Sequence, residues 1–467
     1  MPDPTPRMVT RALSVRADAA EIARRVADTG RPWFWFDGAG AAAGEERVST
    51  LGIASEVRVA AAGGEQGFME RMQRGASGTG ASSAAEAASG RRLGFRGGWV
   101  VALTYEFGAS LLGLATNPHD AGAAPAGVAL RCDVIVAVDH ETGDVELRGP
   151  SSAAVDAWLA EHGAHLLSRS DATTAGKDDA GATDADAPSR ATRRAPRWRR
   201  DDSDYAEAVE QCRDAIREGE AYVLCLTDTA ETRGSFDAIE VYRRLREAGA
   251  PMRGGIIDAG THALVSASPE RFLSIRGPRV ETHPIKGTRR RGGSEPADRA
   301  LAAQLVADPK ERAENLMIVD LMRNDLSRVC APGSVRVDRF LDVETHAHVH
   351  QLVSTVSGEL ANGADVWDVI AATFPGGSMT GAPKRRAVQL LQRLEAGPRG
   401  FYSGCFGWVD HGGDAELAMT IRTIELRRGE RPTALVGAGG GVTVDSLASR
   451  EVAEKHVKAA ALLAALR

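Results

Sequence analysis

Between Ser168 and Arg200 the chain reads SRSDATTAGKDDAGATDADAPSRATRRAPRWRR. This stretch is made of Ala, Gly, Ser, Thr and charge and is poor in large apolar side chains. It cannot offset the entropy of ordering by burying surface. A shorter stretch of the same character, RGASGTGASSAAEAASGRR, runs from Arg74 to Arg92. A core therefore has to be assembled from residues on either side. We divide the chain into a β-rich part over 1–167, a flexible linker or loop over 168–200, and a larger part over 201–467.

Before the linker, WFWFDG from Trp33, GGWVVALTYEF from Gly97, ALRCDVIVAVDH from Ala129 and DVELRG from Asp144 read as strands. After it, helices and strands mix. DDSDYAEAVEQCRDAIREGE carries Tyr205, Val209, Cys212 and Ile216 at helical spacing, with Ser203 as its expected N-cap. AYVLCLTDTAE reads as a buried strand, KERAENLMIVDLMRNDL as a helix, and SREVAEKHVKAAALLAAL as a closing helix. In GAPKRRAVQLLQRLEAG, Pro383 marks a helix start and Gly397 its end. Strand runs with helices between them, without strict alternation, predict an α+β fold.

The composition, 43% hydrophobic and 26% charged, is that of a globular protein. A net charge of −6 points away from nucleic acid and anionic membranes as partners. No run of about 18 apolar residues predicts a transmembrane helix, and no apolar h-region near Met1 predicts a signal peptide. The five cysteines are widely spaced and never form CxxC, which suits a reducing cytoplasm and argues against a thiolate metal site.

Several residue sets could carry chemistry. Glu311 and Glu314 are three apart on one predicted helix, and Glu451 and Glu454 repeat the spacing on another. Two acidic pairs could build an all-oxygen magnesium site. Apolar residues crowd after Glu314, so its helix is expected to be buried almost all round. GAGGGV (437–442) exposes backbone amides at a strand end, and FPGGSMTGAPKRR (374–386) is a glycine-rich turn entering a helix N-terminus; both could hold an anion. Neither fits a nucleotide-binding spacing. Arg422 is read as mid-strand among apolar neighbours, where arginine pairs with a carboxylate of the protein or of a ligand. In ETHPIKGTRRRG (281–292), Pro284 and Gly287 bracket Lys286 and hold it at a fixed angle. Anion holders, a metal site and a positioned lysine together suit a small dicarboxylate.

PIKGTRRRG, KERAENLMIVDLMRNDLSRVC, QLVSTVSGEL, FPGGSMTGAPKRRA, GFYSGCFGWV, IRTIEL and GAGGGVTVDSLASREVAEKHVKA resemble, in order, motifs of the chorismate-utilising enzymes. These comprise the anthranilate synthase large subunit, isochorismate and salicylate synthases, and aminodeoxychorismate synthase component I. The resemblance covers about residues 200–467 densely and the N-terminal part weakly, through FRGGWVVALTYEFG. It implies a large two-sheet β core surrounded by helices, with 201–467 as the chorismate-binding catalytic part. PIKGT, rather than PIAGT, is the form of the aminodeoxychorismate synthases. There the lysine bonds to the chorismate ring as the 4-hydroxyl leaves, and ammonia then adds at the 4-position and expels it. The resemblance thus casts Lys286 as nucleophile, which must attack as the neutral amine, and Glu270 as general acid.

By the same resemblance, Glu311, Glu314, Glu451 and Glu454 hold Mg2+. Gly439 and Gly441 donate backbone N–H groups to the ring carboxylate, with Lys458 nearby. Gly287, Thr288 and Ser378 line the pocket, and Tyr402 and Arg422 hold the enolpyruvyl carboxylate. Two positions depart from the relatives. Gln351 stands where many carry a histidine linked to later steps on the enolpyruvyl group, although His350 is adjacent. Val223 stands where water-activating relatives carry lysine. No glutaminase motif is evident, so ammonia is expected from a separate glutamine amidotransferase subunit. The expected reaction is amination of chorismate at the 4-position, for p-aminobenzoate and folate supply. The alternatives are anthranilate synthase, against which Lys286 counts, and another chorismate-converting enzyme.

Overall fold

The computed structural model describes residues 8–41, 47–76, 94–114, 125–167, 195–247, 249–346 and 349–467. Most of both Ala/Gly/Ser-rich stretches, and so the expected linker, lies outside these residues. The described residues form a twelve-stranded and a ten-stranded sheet, and the strand pairs within them are antiparallel. This is the α+β, two-sheet architecture expected.

Both sheets draw on both halves of the chain. In the larger sheet, Trp33–Asp37 pairs with Arg253–Asp258, placing Phe34 opposite Ile257. In the smaller, Gly98–Leu103 pairs with Cys405–Asp410, placing Val101 opposite Gly407. Alternation along the strands then sorts side chains to two faces. Phe34, Ile257 and Leu264 of the larger sheet meet Val100, Leu130 and Phe406 of the smaller in one buried cluster, the layer between the sheets. Their neighbours Trp35 and Val101 enter the outer clusters instead. Trp35 packs with helices Ala19–Asp28, Ala238–Glu247 and Ala448–Ala465, and Val101 with helices Glu65–Ala76, Pro309–Ser327 and Val366–Thr373. The order is helices, sheet, sheet, helices.

Two local expectations are corrected. Asp201, not Ser203, caps helix Asp202–Arg217, its carboxylate accepting from the amide of Asp204 at 2.8 Å. An aspartate two residues earlier leaves Ser203 inside the first turn. The Glu311 helix is not buried all round: Ile318, Val319 and Met322 face the core, whereas Leu316 is 56% exposed and Asp320 lies outside with it. The apolar run is longer than the face that the sheet can cover. All five cysteines are buried and unpaired in disulfides. No helix among the described residues is long and apolar enough to cross a membrane.

Candidate active site

The Lys286 strand, Ile285–Arg290, lies at one edge of the smaller sheet, paired with Val349–Glu359. The pairing slips between Lys286 and Thr288, and Gly287 takes φ +80°, which a side chain rarely adopts. A Cβ there would stand 2.8 Å from Leu305 Cδ1 and 3.0 Å from Glu311 Oε2. Gly287 thus lets the backbone approach the Glu311 helix. Lys286 is half-buried and Thr288 exposed. The arginines that follow are engaged elsewhere. Arg289 pairs with Asp308 at 2.9 Å and Glu311 at 3.4 Å, and Arg291 with Asp298 at 2.7 Å.

Glu270 follows strand His262–Ser268 and is 7% exposed. Its Oε1 accepts the Ser378 hydroxyl at 2.7 Å. Burial pushes its pKa up, against the Ser378 hydrogen bond and the ammonium groups of Lys286 and Lys458. A carboxyl whose burial strengthens its hold on a proton is suited to act as a proton donor. Ser378 sits in a single turn, Gly377–Met379, after Gly376; a Cβ on Gly376 would press on Met419. Cys225, on strand Val223–Arg233, faces the same charges. Burial raises its thiol pKa, while Arg399, Lys286 and Lys458 act to lower it. Nothing in the sequence pointed to Cys225 as a neighbour of the site; only the strand order brings it there.

The two acidic pairs come from opposite sides. Glu451 is buried and accepts the Ser446 hydroxyl at 2.8 Å; burial, and then Glu454, raise its pKa. Burial also acts on Glu454, but the ammonium of Lys458, 2.6 Å away, holds it below its ordinary value. On the other helix burial, then Glu314, raise Glu311. Lys310 ties the pairs together: it lies 3.7 Å from Glu314 and acts electrostatically on both Glu451 and Glu454. No three carboxylate, imidazole or thiol groups among the described residues converge as a ready metal cage.

The glycine-rich strand Thr433–Val442 lies under the second pair. Gly439 offers its carbonyl, which accepts from Lys458 Nζ at 2.8 Å. Gly441 has open space beside Val223. Gly440, which sequence reasoning missed, faces the acids: a Cβ there would stand 2.8 Å from Glu451 Oε2 and 3.3 Å from Glu454 Oε1. Gly437 makes room for Tyr402, whose ring carbons would lie 2.0 Å from a Cβ.

Arg422 is not mid-strand. It precedes strand Thr423–Arg427 with φ +51°, a conformation that costs a non-glycine residue on the order of 1 kcal/mol. Among the described residues its guanidinium has no carboxylate within ion-pair distance and donates to the Lys458 carbonyl at 2.6 Å, so of the two expected partners a ligand carboxylate is the one left open. Burial lowers its pKa, opposed by Tyr402 and Glu454. A half-buried guanidinium held by one carbonyl retains donors for an anion. The helix after Ser378 does not offer a free basic N-terminus. The Lys384 ammonium is buried between Asp325 and the Thr373 carbonyl, and Arg386 pairs with Glu220 at 2.6 Å. His350 is likewise committed, with Nε2 2.8 Å from Asp298 and Nδ1 2.9 Å from Thr345.

The helix-flanked pair of sheets thus carries a buried carboxyl, two lysines within its field and two acidic pairs on separate helices. Residues 31–464 match the family model of the chorismate binding enzymes, and the chain belongs to that family. It is 40% identical over 396 residues to an aminodeoxychorismate synthase of Streptomyces pristinaespiralis, covering 81% of this chain and 52% of that one. It is 37% identical over 475 residues to one of Streptomyces griseus, covering 98% and 64%. The chain thus spans between half and two thirds of these two relatives. An anthranilate synthase component I structure from Streptococcus pneumoniae superposes with a TM-score of 0.74 at 25% identity, covering 90% and 92% of the two chains.

Proposed function

We propose that this chain converts chorismate to 4-amino-4-deoxychorismate, with ammonia supplied by a separate glutamine amidotransferase subunit, for p-aminobenzoate and folate synthesis. The observation that carries the reading is the buried Glu270 carboxyl, its pKa raised by burial, held by Ser378 and within the field of Lys286. The two aminodeoxychorismate synthase relatives support the choice within the family.

Lys286, as the neutral amine, forms a C–N bond to the ring while Glu270 protonates the departing 4-hydroxyl, which leaves as water. The proton shed by the Lys286 nitrogen restores Glu270. Ammonia then bonds to the 4-position, the ring–Lys286 bond breaks, and a proton passes from the ammonia nitrogen to Lys286. Tyr402 and Arg422 would hold the enolpyruvyl carboxylate, and Lys458 with the backbone of Gly439 to Gly441 the ring carboxylate. Gly287, Thr288 and Ser378 would line the ring. Carboxylates are the hard oxygen donors that Mg2+ prefers, and Glu311, Glu314, Glu451 and Glu454, whose pairs both lie within the field of Lys310, would hold it. When bound, the ion would neutralise the ring carboxylate and draw charge from the ring.

The test supplies chorismate, Mg2+ and ammonium salts and identifies products by mass and absorbance. A 4-amino product that keeps its enolpyruvyl group is expected; anthranilate with pyruvate would sink the reading. Glutamine should replace ammonium only when an amidotransferase subunit is added. Without ammonia, a chorismate-derived adduct should form on the peptide holding PIKGT and be lost in Lys286→Ala.

A further inference from the structure

Glu106 lies outside the site, on helix Tyr105–Leu111 of the N-terminal part, and is 6% exposed. Both of its carboxylate oxygens accept backbone N–H groups: Oε1 that of Arg399 at 2.7 Å, and Oε2 that of Gly400 at 3.1 Å. The Tyr105 amide donates back to the Gly400 carbonyl at 3.0 Å, so this helix end and residues 399–400 are clamped together. The buried Arg399 side chain runs from the clamp toward the site. Its guanidinium packs over the Tyr105 ring, 4.0 Å from the centroid, and pairs with Glu395 at 2.7 Å. It also donates to the carbonyl of Met379, next to Ser378, and to that of Cys225, at 2.7 Å each. The Ser378 hydroxyl in turn donates to Glu270 at 2.7 Å. Hydrogen bonds and one peptide link therefore join Glu106 to Glu270.

We propose that Glu106 is a positioning residue: its carboxylate fixes Arg399, and through Arg399 the Ser378 turn that orients Glu270. This rests on the function proposed above, in which Glu270 protonates the departing 4-hydroxyl. An ionised carboxyl only accepts, so it satisfies both amides of the clamp at once. Two carboxylates and one guanidinium share this buried cluster, so one negative charge is left over. Burial pushes the Glu106 pKa up to about 7, against the amide and charge of Arg399 and with Glu395 adding to the rise. The other titratable groups around Arg399 are Tyr105, Tyr402 and Cys225, each pushed up by burial and so neutral. A protonated Glu106 turns a donor toward one amide, and that N–H loses its partner. The turn is then held less firmly, and proton transfer from Glu270 slows.

Glu106→Gln has the shape of the protonated side chain at every pH. Because the folded pKa is raised, the charge costs stability as pH climbs through 7, so the variant should be at least as stable as the unmodified chain at pH 8. The experiment compares adduct formation from chorismate, without ammonia, in the two proteins at matched pH. Every group other than Glu106 cancels from the ratio of rates. The variant should be about tenfold slower at pH 8, the worth of one hydrogen bond, and within about twofold at pH 6. Its KM for chorismate should stay within about threefold, since Glu106 does not touch substrate. A ratio that is the same at both pH values overturns the proposal, because a merely structural role carries no titration. So does an unchanged rate at pH 8. Amide hydrogen exchange gives a second reading that needs no turnover. Peptides holding Met379 and Arg399–Gly400 should exchange faster in the variant at pH 8 and equally at pH 6; equal exchange at both overturns the link from Glu106 to Arg399. Absence of both adduct and 4-amino product from the unmodified chain overturns the proposed function, and the exchange difference then still supports that link.

Discussion

In the function proposed above, Glu270 is where burial is converted into chemistry. Its pKa rises above the ordinary 4.5 because desolvation outweighs a hydroxyl donor and two amines. For stability the sign follows directly. A carboxyl whose folded pKa is raised stabilises the fold most below its unfolded pKa, and stability is lost as pH climbs through the folded value. Glu270→Gln should therefore be at least as stable as the parent at pH 8 in urea unfolding, and lose less stability between pH 5 and pH 8. Its adduct formation should be slower by roughly 100-fold or more, because the proton donor is gone, and the alkaline limb of that step should vanish. A variant that keeps the parent rate would remove Glu270 from the chemistry. Gly440 makes a second case. An alanine methyl 2.8 Å from Glu451 Oε2 must displace that carboxylate. Gly440→Ala should raise the Mg2+ concentration for half-maximal turnover by about tenfold or more; an unmoved titration would detach Glu451 from the metal.

At the scale of elements, the turn that carries Ser378 is fixed by charges buried behind it. Lys384 and Asp325 side chains are 7% and 2% exposed, and the Lys384 ammonium also caps the Thr373 carbonyl at 2.6 Å. This ties the helix after the turn to the C-terminal end of the Glu311 helix. Arg399 grips the turn from the other side, donating to the Met379 and Cys225 carbonyls, each at 2.7 Å. Removing one partner of a buried pair leaves the other uncompensated, so Lys384→Met should cost roughly 3–5 kcal/mol in urea unfolding. Lys384→Met with Asp325→Leu should recover part of that loss; equal loss in both would mean that the pair contributes nothing specific. The sequence displayed these elements unevenly. Helix Pro309–Ser327 was legible from its spacing, and GAPKRR from its proline. That Lys384 points inward to Asp325 was not, because only the crossing of two helices creates the partner. Gly440 and Cys225 escaped for related reasons. One acts through the Cβ it lacks, and the other through a strand neighbour far away in sequence.

The whole molecule does not divide where the composition shifts. The alternating strands and the α+β class could be read locally, but strand order could not, since pairing partners are set by packing rather than by neighbouring sequence. Phe34 is opposite Ile257 and Val101 opposite Gly407, so each sheet crosses the expected boundary. Residues 201–467 carry every residue assigned above to the site, yet alone they would expose the edges that Trp33–Asp37 and Gly98–Leu103 now cover. They would also lose Phe34, Val100 and Leu130 from the layer between the sheets and Trp35 from the outer core. Open hydrophobic strand edges pair with other chains. Residues 201–467 expressed alone should therefore be aggregated, or lack a cooperative urea transition and fixed near-UV circular dichroism. Coexpression with residues 1–167 as a separate chain should restore a soluble complex of the two, because the missing contacts are noncovalent. A monomeric, cooperatively unfolding 201–467 would mean that the C-terminal strands hold their order without the N-terminal ones. The two sheets would then be completed by residues 1–167 rather than built with them.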